Sequence, residues 1–251
     1  VSKAADLPGF EEVSVIATTE NLQRYARLAG VAMLVSIVFG ALGEAYIPGR
    51  IFVSGDGAGT AANLLAHPTL FRVGFATYLV EGICDVALAV FFYILLRPVD
   101  RNLALLSAFF GMAAMLTYAT AESSYLAASL VVHDASGMGA FSPEQRNALV
   151  QLAFRLSGTI AWSFLALYGI ATMIRGYLII RSGYIPAVFG VLFLIAGLGF
   201  CMRTATKLLA PAYSQDWLLL PMAAAGVALM LWFLIRGVRR ATPAGSTQSH
   251  S

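Results

Sequence analysis

Six apolar runs divide this chain, at about residues 25–47, 70–97, 101–132, 144–174, 185–209 and 216–236. Crossing a bilayer core of about 30 Å takes about 20 such residues in helical form, each adding 1.5 Å of rise. The expected fold is therefore all-α, a polytopic membrane bundle of six transmembrane helices. Composition points the same way. Of the 251 residues 59% are hydrophobic and 12% charged, where a soluble domain carries about 25% charge. A chain this apolar cannot cover itself with polar surface in water.

Punctuation separates the runs: Pro48-Gly49, Arg97-Pro98, the glycine-rich 133–142 stretch, Ser182-Gly183 with Pro186, and Pro211. Ser142-Pro143-Glu144-Gln145 places a capping serine, a proline at the first helical position and a glutamine three residues after the cap, which starts the fourth helix. Residues 48–69 are too polar to span. They read as a glycine-rich turn and a short helix that begins near Asp56 or Thr60 and ends near Pro68. The glycines of Gly40-Ala41-Leu42-Gly43, and Gly190, Gly197 and Gly199, suit close helix contact.

Sixteen Lys and Arg give a net charge of +3. They are spread along the chain, mostly at the ends of apolar runs, so they encode topology, and nucleic acid is excluded as a partner. Placing the N-terminus inside assigns Lys3, Arg24, Arg27, Arg97, Arg101, Arg175, Arg181, Arg236, Arg239 and Arg240 to the cytoplasmic face. Arg50, Arg72, Arg146, Arg155, Arg203 and Lys207 fall on the other face. Both termini are then cytoplasmic, with 1–23 an N-terminal segment, 24–238 the membrane domain and 239–251 a disordered tail. The first residues lack the order of a cleaved leader, and none is expected. Cys84 and Cys201 lie inside apolar runs without metal-ligand spacing and read as buried thiols.

Charge inside the runs is what needs explaining. Glu81 and Asp85 are the only charges between Val73 and Leu96. Four residues apart, they project from one helical face, about 13 and 20 Å below Arg72. An unpaired carboxylate at such depth costs on the order of 3 kcal/mol. Candidate neighbours from other helices are Glu44, Glu122, Arg155 and Arg203, all expected in the outer half of the bundle with Arg72. The candidate polar pocket is thus Glu44, Arg72, Glu81, Asp85, Glu122, Arg155 and Arg203. The competing reading is structural: arginines that snorkel to headgroups and acids that lock helices together. His67 and His133 lack metal-ligand spacing, and no serine lies in a nucleophile motif, so no catalytic or metal residue is assigned. No cofactor is named.

Several stretches resemble the bacterial domain of unknown function 4386 family. They are Arg27-Leu-Ala-Gly30, Ala66-His67-Pro68-Thr69-Leu70-Phe71-Arg72, Cys84-Asp85-Val86-Ala87-Leu88, and Leu95-Leu96-Arg97-Pro98-Val99 with Arg101-Asn102-Leu103-Ala104-Leu105. The stretch from Tyr177-Leu178 to Arg181-Ser182-Gly183-Tyr184-Ile185-Pro186 is similar to its second half. The resemblance covers about 24–238. It implies a multi-pass helical protein of the bacterial inner membrane, and supplies no activity and no catalytic residues. Two functions remain. One is a pocket that binds or moves a small polar or amphiphilic ligand, its acids holding a cation or proton and its arginines an anionic head. The other is a non-catalytic scaffold subunit that docks a membrane-protein partner. A lipid-headgroup enzyme is the weaker third. Membrane lipids are partners in each.

Overall fold

In a computed structural model the chain is described over residues 8–133 and 137–239, with backbone alone over 8–19. The expectations for Lys3, for Arg240 and for the tail from 240 onward lie outside the described residues. Helix α1 spans Pro8–Gly40 and runs into a π-helical turn, Ala41–Tyr46. Short helices α2 (Pro48–Ile51) and α3 (Gly57–Ala66) follow, then α4 (Pro68–Leu96), α5 (Arg101–His133), α6 (Pro143–Ser182), α7 (Ala187–Leu209) and α8 (Leu220–Ile235). Two 3-10 turns, Pro211–Tyr213 and Asp216–Leu219, join α7 to α8. No strand occurs among the described residues. Among the described residues, six helices are long and apolar enough to cross a membrane: the stretch Glu20–Ile51, α4, α5, α6, α7, and Asp216–Ile235.

The short helix between the first two spans starts at Asp56, whose Oδ1 accepts from the Gly59 N–H at 2.8 Å. At Ser142 both halves of the capping box form. The Ser142 N–H donates to Gln145 Oε1 at 2.8 Å, and the Gln145 N–H donates to Ser142 Oγ at 3.3 Å. Replacing Ser142 by Ala is expected to cost about 1 kcal/mol, read as faster amide exchange confined to the first turn of α6. Two helices run past the boundaries expected from the sequence. Helix α1 begins at Pro8, well before the apolar run. Helix α6 continues from 174 to Ser182, where Gly183 ends it with φ +71°. The second extension carries Arg175 inside the helix and buries it, 2% exposed, so it does not join the arginines at the helix ends.

Spans adjacent in sequence pack on each other, and α8 packs back on α1. The order α1–α4–α5–α6–α7–α8–α1 closes a ring, with α3 lying against α4, α5 and α6. Two apolar clusters fill it. One, at the end where the chain enters and leaves, includes Phe92, Leu95, Leu178, Phe193, Leu229 and Phe233. The other, at the α3 end, includes Ile47, Ile51, Leu64, Phe71 and Val150 with three tyrosines.

Chain entry and exit are tied together. The Gln23 side chain donates to the Arg236 carbonyl at 3.1 Å and accepts from the Val238 N–H at 2.8 Å. The Arg239 N–H donates to the Tyr184 carbonyl at 2.8 Å. Tyr184, in the α6–α7 turn, donates its hydroxyl to the Leu95 carbonyl. Burial pushes its phenol up to about 12, so that donor stays protonated at neutral pH.

The α6–α7 pair is the closest-packed seam. A Cβ on Gly169 would lie 2.8 Å from the Gly197 carbonyl oxygen, and one on Gly197 would lie 2.5 Å from that of Gly169. Gly176 and Gly190 form the same reciprocal pair, at 2.7 and 2.5 Å. Only glycine allows the two backbones to meet there.

Candidate functional site

Within the helix ring lies a partly open cavity of about 670 Å³, lined from all six spans. Its polar groups are assembled from helix faces that the sequence spaces individually. Glu81 and Asp85, one turn apart on α4, both line it. The Asp85 carboxylate accepts from Ser36 Oγ of α1 at 2.8 Å, and Glu81 Oε2 accepts from the Tyr118 hydroxyl of α5 at 2.8 Å. Gly40 leaves room for this arrangement, since a Cβ there would lie 2.5 Å from Glu81 Oε1.

Glu44 reaches the cavity from the π-helical turn. The Ile47 N–H reaches back to the Leu42 carbonyl at 3.0 Å, the wider i→i+5 ring that inserts one extra residue per turn. That insertion changes the azimuth of every residue after Gly40. Glu44 is exposed and lines the cavity, which is open in part. The Tyr118 hydroxyl neighbours it as well as Glu81. A hydroxyl has one proton to give, and Glu81 takes it. Glu122, on α5, has Oε2 buried with no hydrogen-bond partner.

Aromatic rings form much of the wall. Tyr78 meets Tyr118 and Tyr125 edge to face, with centroids 6.0 and 5.5 Å apart. Tyr125 continues to Phe154 at 5.2 Å, and Tyr118 to Phe164 at 5.1 Å, with Tyr168 next at 5.4 Å. Tyr125 is 3% exposed, and its hydroxyl has no partner. At the deep end the lining turns apolar, with Met33, Leu88 and Met222.

Of the seven residues singled out from the sequence, Glu44, Glu81, Asp85 and Glu122 line this cavity, and Arg72, Arg155 and Arg203 do not. Arg72 and Arg155 are exposed on α4 and α6. Arg203 is held elsewhere, donating to Ser214 and pairing with Asp216 in the α7–α8 connection. That is the one ion pair among the described residues. Neither Glu81 nor Asp85 is ion-paired there; each is satisfied by a hydroxyl. His67 and His133 are exposed at the ends of α3 and α5, and neither lines the cavity. Cys84 and Cys201 are free thiols, both half-buried.

Arg175, read from the sequence as one of the arginines of the cytoplasmic face, is instead buried in the bundle. It lies two turns below Tyr168 on the same face of α6. Its guanidinium is 4.9 Å from the Phe92 ring centroid and 5.5 Å from that of Tyr168, and Nε donates to Ser107 Oγ at 3.2 Å. Ser107 in turn donates to the Ala171 carbonyl at 3.1 Å. Gly111 makes the space, since a Cβ there would lie 2.8 Å from a guanidinium nitrogen. The sequence carried a signal for it: Arg175 has apolar residues on both sides, from Ala171 to Ile180, and Arg181 already supplies the interfacial charge.

The family model described as Domain of unknown function (DUF4386) matches residues 28–237. Neither a curated protein nor a solved structure matches the chain.

Proposed function

The chain belongs to the DUF4386 family, an integral membrane protein group without an assigned activity, and from that premise we propose that its central cavity binds or moves a small polar or amphiphilic ligand. The observation that carries this reading is the partly open cavity of about 670 Å³, within the range of small-molecule sites, along whose wall buried polar atoms of Glu122 and Tyr125 are left without partners. Unsatisfied polar groups in a low-dielectric interior are costly and need a reason. The protein sits in the bacterial inner membrane with both termini cytoplasmic, the arginines at the chain-entry end facing the cytoplasm. Lipid surrounds the ring.

Two interhelical hydrogen bonds, Ser36 to Asp85 and Tyr118 to Glu81, favour the alternative of a scaffold whose acids lock helices and whose outer face docks a membrane partner. One experiment separates the two. A Cβ at Gly158, which lines the cavity, would meet nothing within 4 Å, so Gly158→Trp can fill the space. Leu116→Trp, at a position 70% exposed, is the control. Fluorescence titration of the detergent-purified chain with a cationic amphiphile (rhodamine 6G) and an anionic one (anilinonaphthalene sulfonate) is the readout. Saturable binding of at least one dye, kept in Leu116→Trp and weakened by about ten-fold or more in Gly158→Trp, is expected. Dyes that ignore the cavity filler, together with Asp85→Asn and Glu81→Gln variants that only lose thermal stability, would favour the scaffold.

A further inference from the structure

Resting on that reading, we infer that the occupant is an organic cation: a protonated or quaternary amine or phosphonium on an apolar body. Charge decides the sign. Among the described residues the lining takes four carboxyls, from the π-helical turn, α4 and α5, and no lysine, arginine or histidine. The nearest buried guanidinium, that of Arg175, is already covered by two aromatic rings and Ser107. An anionic head would therefore meet carboxyls there and no cationic side chain to pair with.

The carboxyls are also not equivalent. Glu81 and Asp85 already accept hydroxyl protons, from Tyr118 and Ser36. Among the described residues the Glu44 and Glu122 carboxyls accept no hydrogen bond, and Glu122 Oε2 is buried without a partner. Independent of the acids, Tyr125 offers a second unspent oxygen, 97% buried and unpartnered in the same wall. Among the described residues no three carboxyl, thiol or imidazole groups are gathered closely enough to hold one metal ion. Dispersed acids suit a cation whose charge is spread over a large body.

Shape adds the remaining terms. Tyr78, Tyr118, Tyr125, Phe154, Phe164 and Tyr168 present rings around the space, and a desolvated cation within about 6 Å of a ring face is attracted by the ring quadrupole. Below Asp85 the lining of Met33, Leu88 and Met222 accepts an apolar body, so an amphiphilic cation lies with its charge toward Glu44 and Glu122 and its bulk toward the deep end. Methionines conform to bodies of varied outline.

The test uses tetraphenylphosphonium and rhodamine 6G as cations and anilinonaphthalene sulfonate as the anion, on the full chain in mild detergent. Both cations are expected to bind at least about ten-fold more tightly than the anion. Glu44→Gln and Glu122→Gln should each weaken the cations by about ten-fold and leave or improve the anion. Tyr125→Phe should weaken the cations by about three-fold while leaving the unfolding midpoint unchanged or raised, since its hydroxyl satisfies nothing inside the protein. This last variant keeps the test open if a glutamine variant fails to fold. Binding of the anion that is equally tight and equally lost in Gly158→Trp would overturn the cation assignment and leave the ligand pocket standing. Cation binding unmoved by all three substitutions, or no binding by any probe, would also overturn it.

Discussion

Leucine in place of Gly197 or Gly190 will stop α6 and α7 from closing. At each position the first added carbon would lie 2.5 Å from a backbone oxygen of the opposing helix, which no rotamer change can relieve. The helices must separate, and the seam runs two turns between its reciprocal contacts, Gly169 with Gly197 and Gly176 with Gly190. Overpacking of a tight core costs about 1–3 kcal/mol, and a backbone clash lies at or above the upper end. A loss of about 3 kcal/mol lowers the unfolding midpoint of a chain of this length by roughly 6–12 °C. The measurement is thermal unfolding in mild detergent alongside size-exclusion profiles. Alanine should do less harm than leucine at the same sites. At Gly82, where a Cβ meets nothing within 4 Å, alanine should instead stabilise by up to about 1 kcal/mol through helix propensity. Equal tolerance at Gly82 and Gly197 would show that the α6–α7 backbone contact is not what holds these helices.

Arg175 offers the second large effect, and its three substitutions should separate charge from volume. Alanine removes a fully buried side chain, uncovers the Phe92 and Tyr168 faces and strips Ser107 of its donor, at a cost of about 3 kcal/mol or more. Lysine keeps the charge and loses the plane that stacks on both rings and the Nε–H aimed at Ser107, so it should stand between alanine and the native residue. Methionine refills most of the volume and removes the cost of burying a cation, and should recover most of the stability. Unfolding midpoints in the order alanine, lysine, methionine, arginine are expected. Lysine equal to arginine would mean the position needs only a positive charge, against the stacked geometry.

Span number and type were legible because each is a local property. A run such as Val73–Leu96 satisfies the length of a bilayer without reference to any other helix. The Ser142 cap and the Asp56 start were likewise legible, since their partners lie three residues away. Half of the glycine seam was visible on α7 as Gly190 and Gly197. Its other half on α6, Gly169 and Gly176, became meaningful only once the helices were side by side. The acids on α4 were legible as one face, and Glu44 and Glu122, named from the sequence as their neighbours, line the same cavity. The three arginines proposed as their companions face elsewhere. Asp216, thirteen residues beyond Arg203, reaches that arginine through a turn whose path cannot be inferred from composition.

Hydrophobic run length and capping residues thus specify six membrane-crossing helices by themselves, because backbone hydrogen bonding in lipid is satisfied within each segment. How far each helix turns about its own axis is another matter. It follows from side chains meeting across helices, from the extra residue in the π-helical turn that aims Glu44, and from the ring that α8 closes on α1. Those are relations between segments far apart in the chain, and they decided that the acids share one cavity while the arginines are spent outside it.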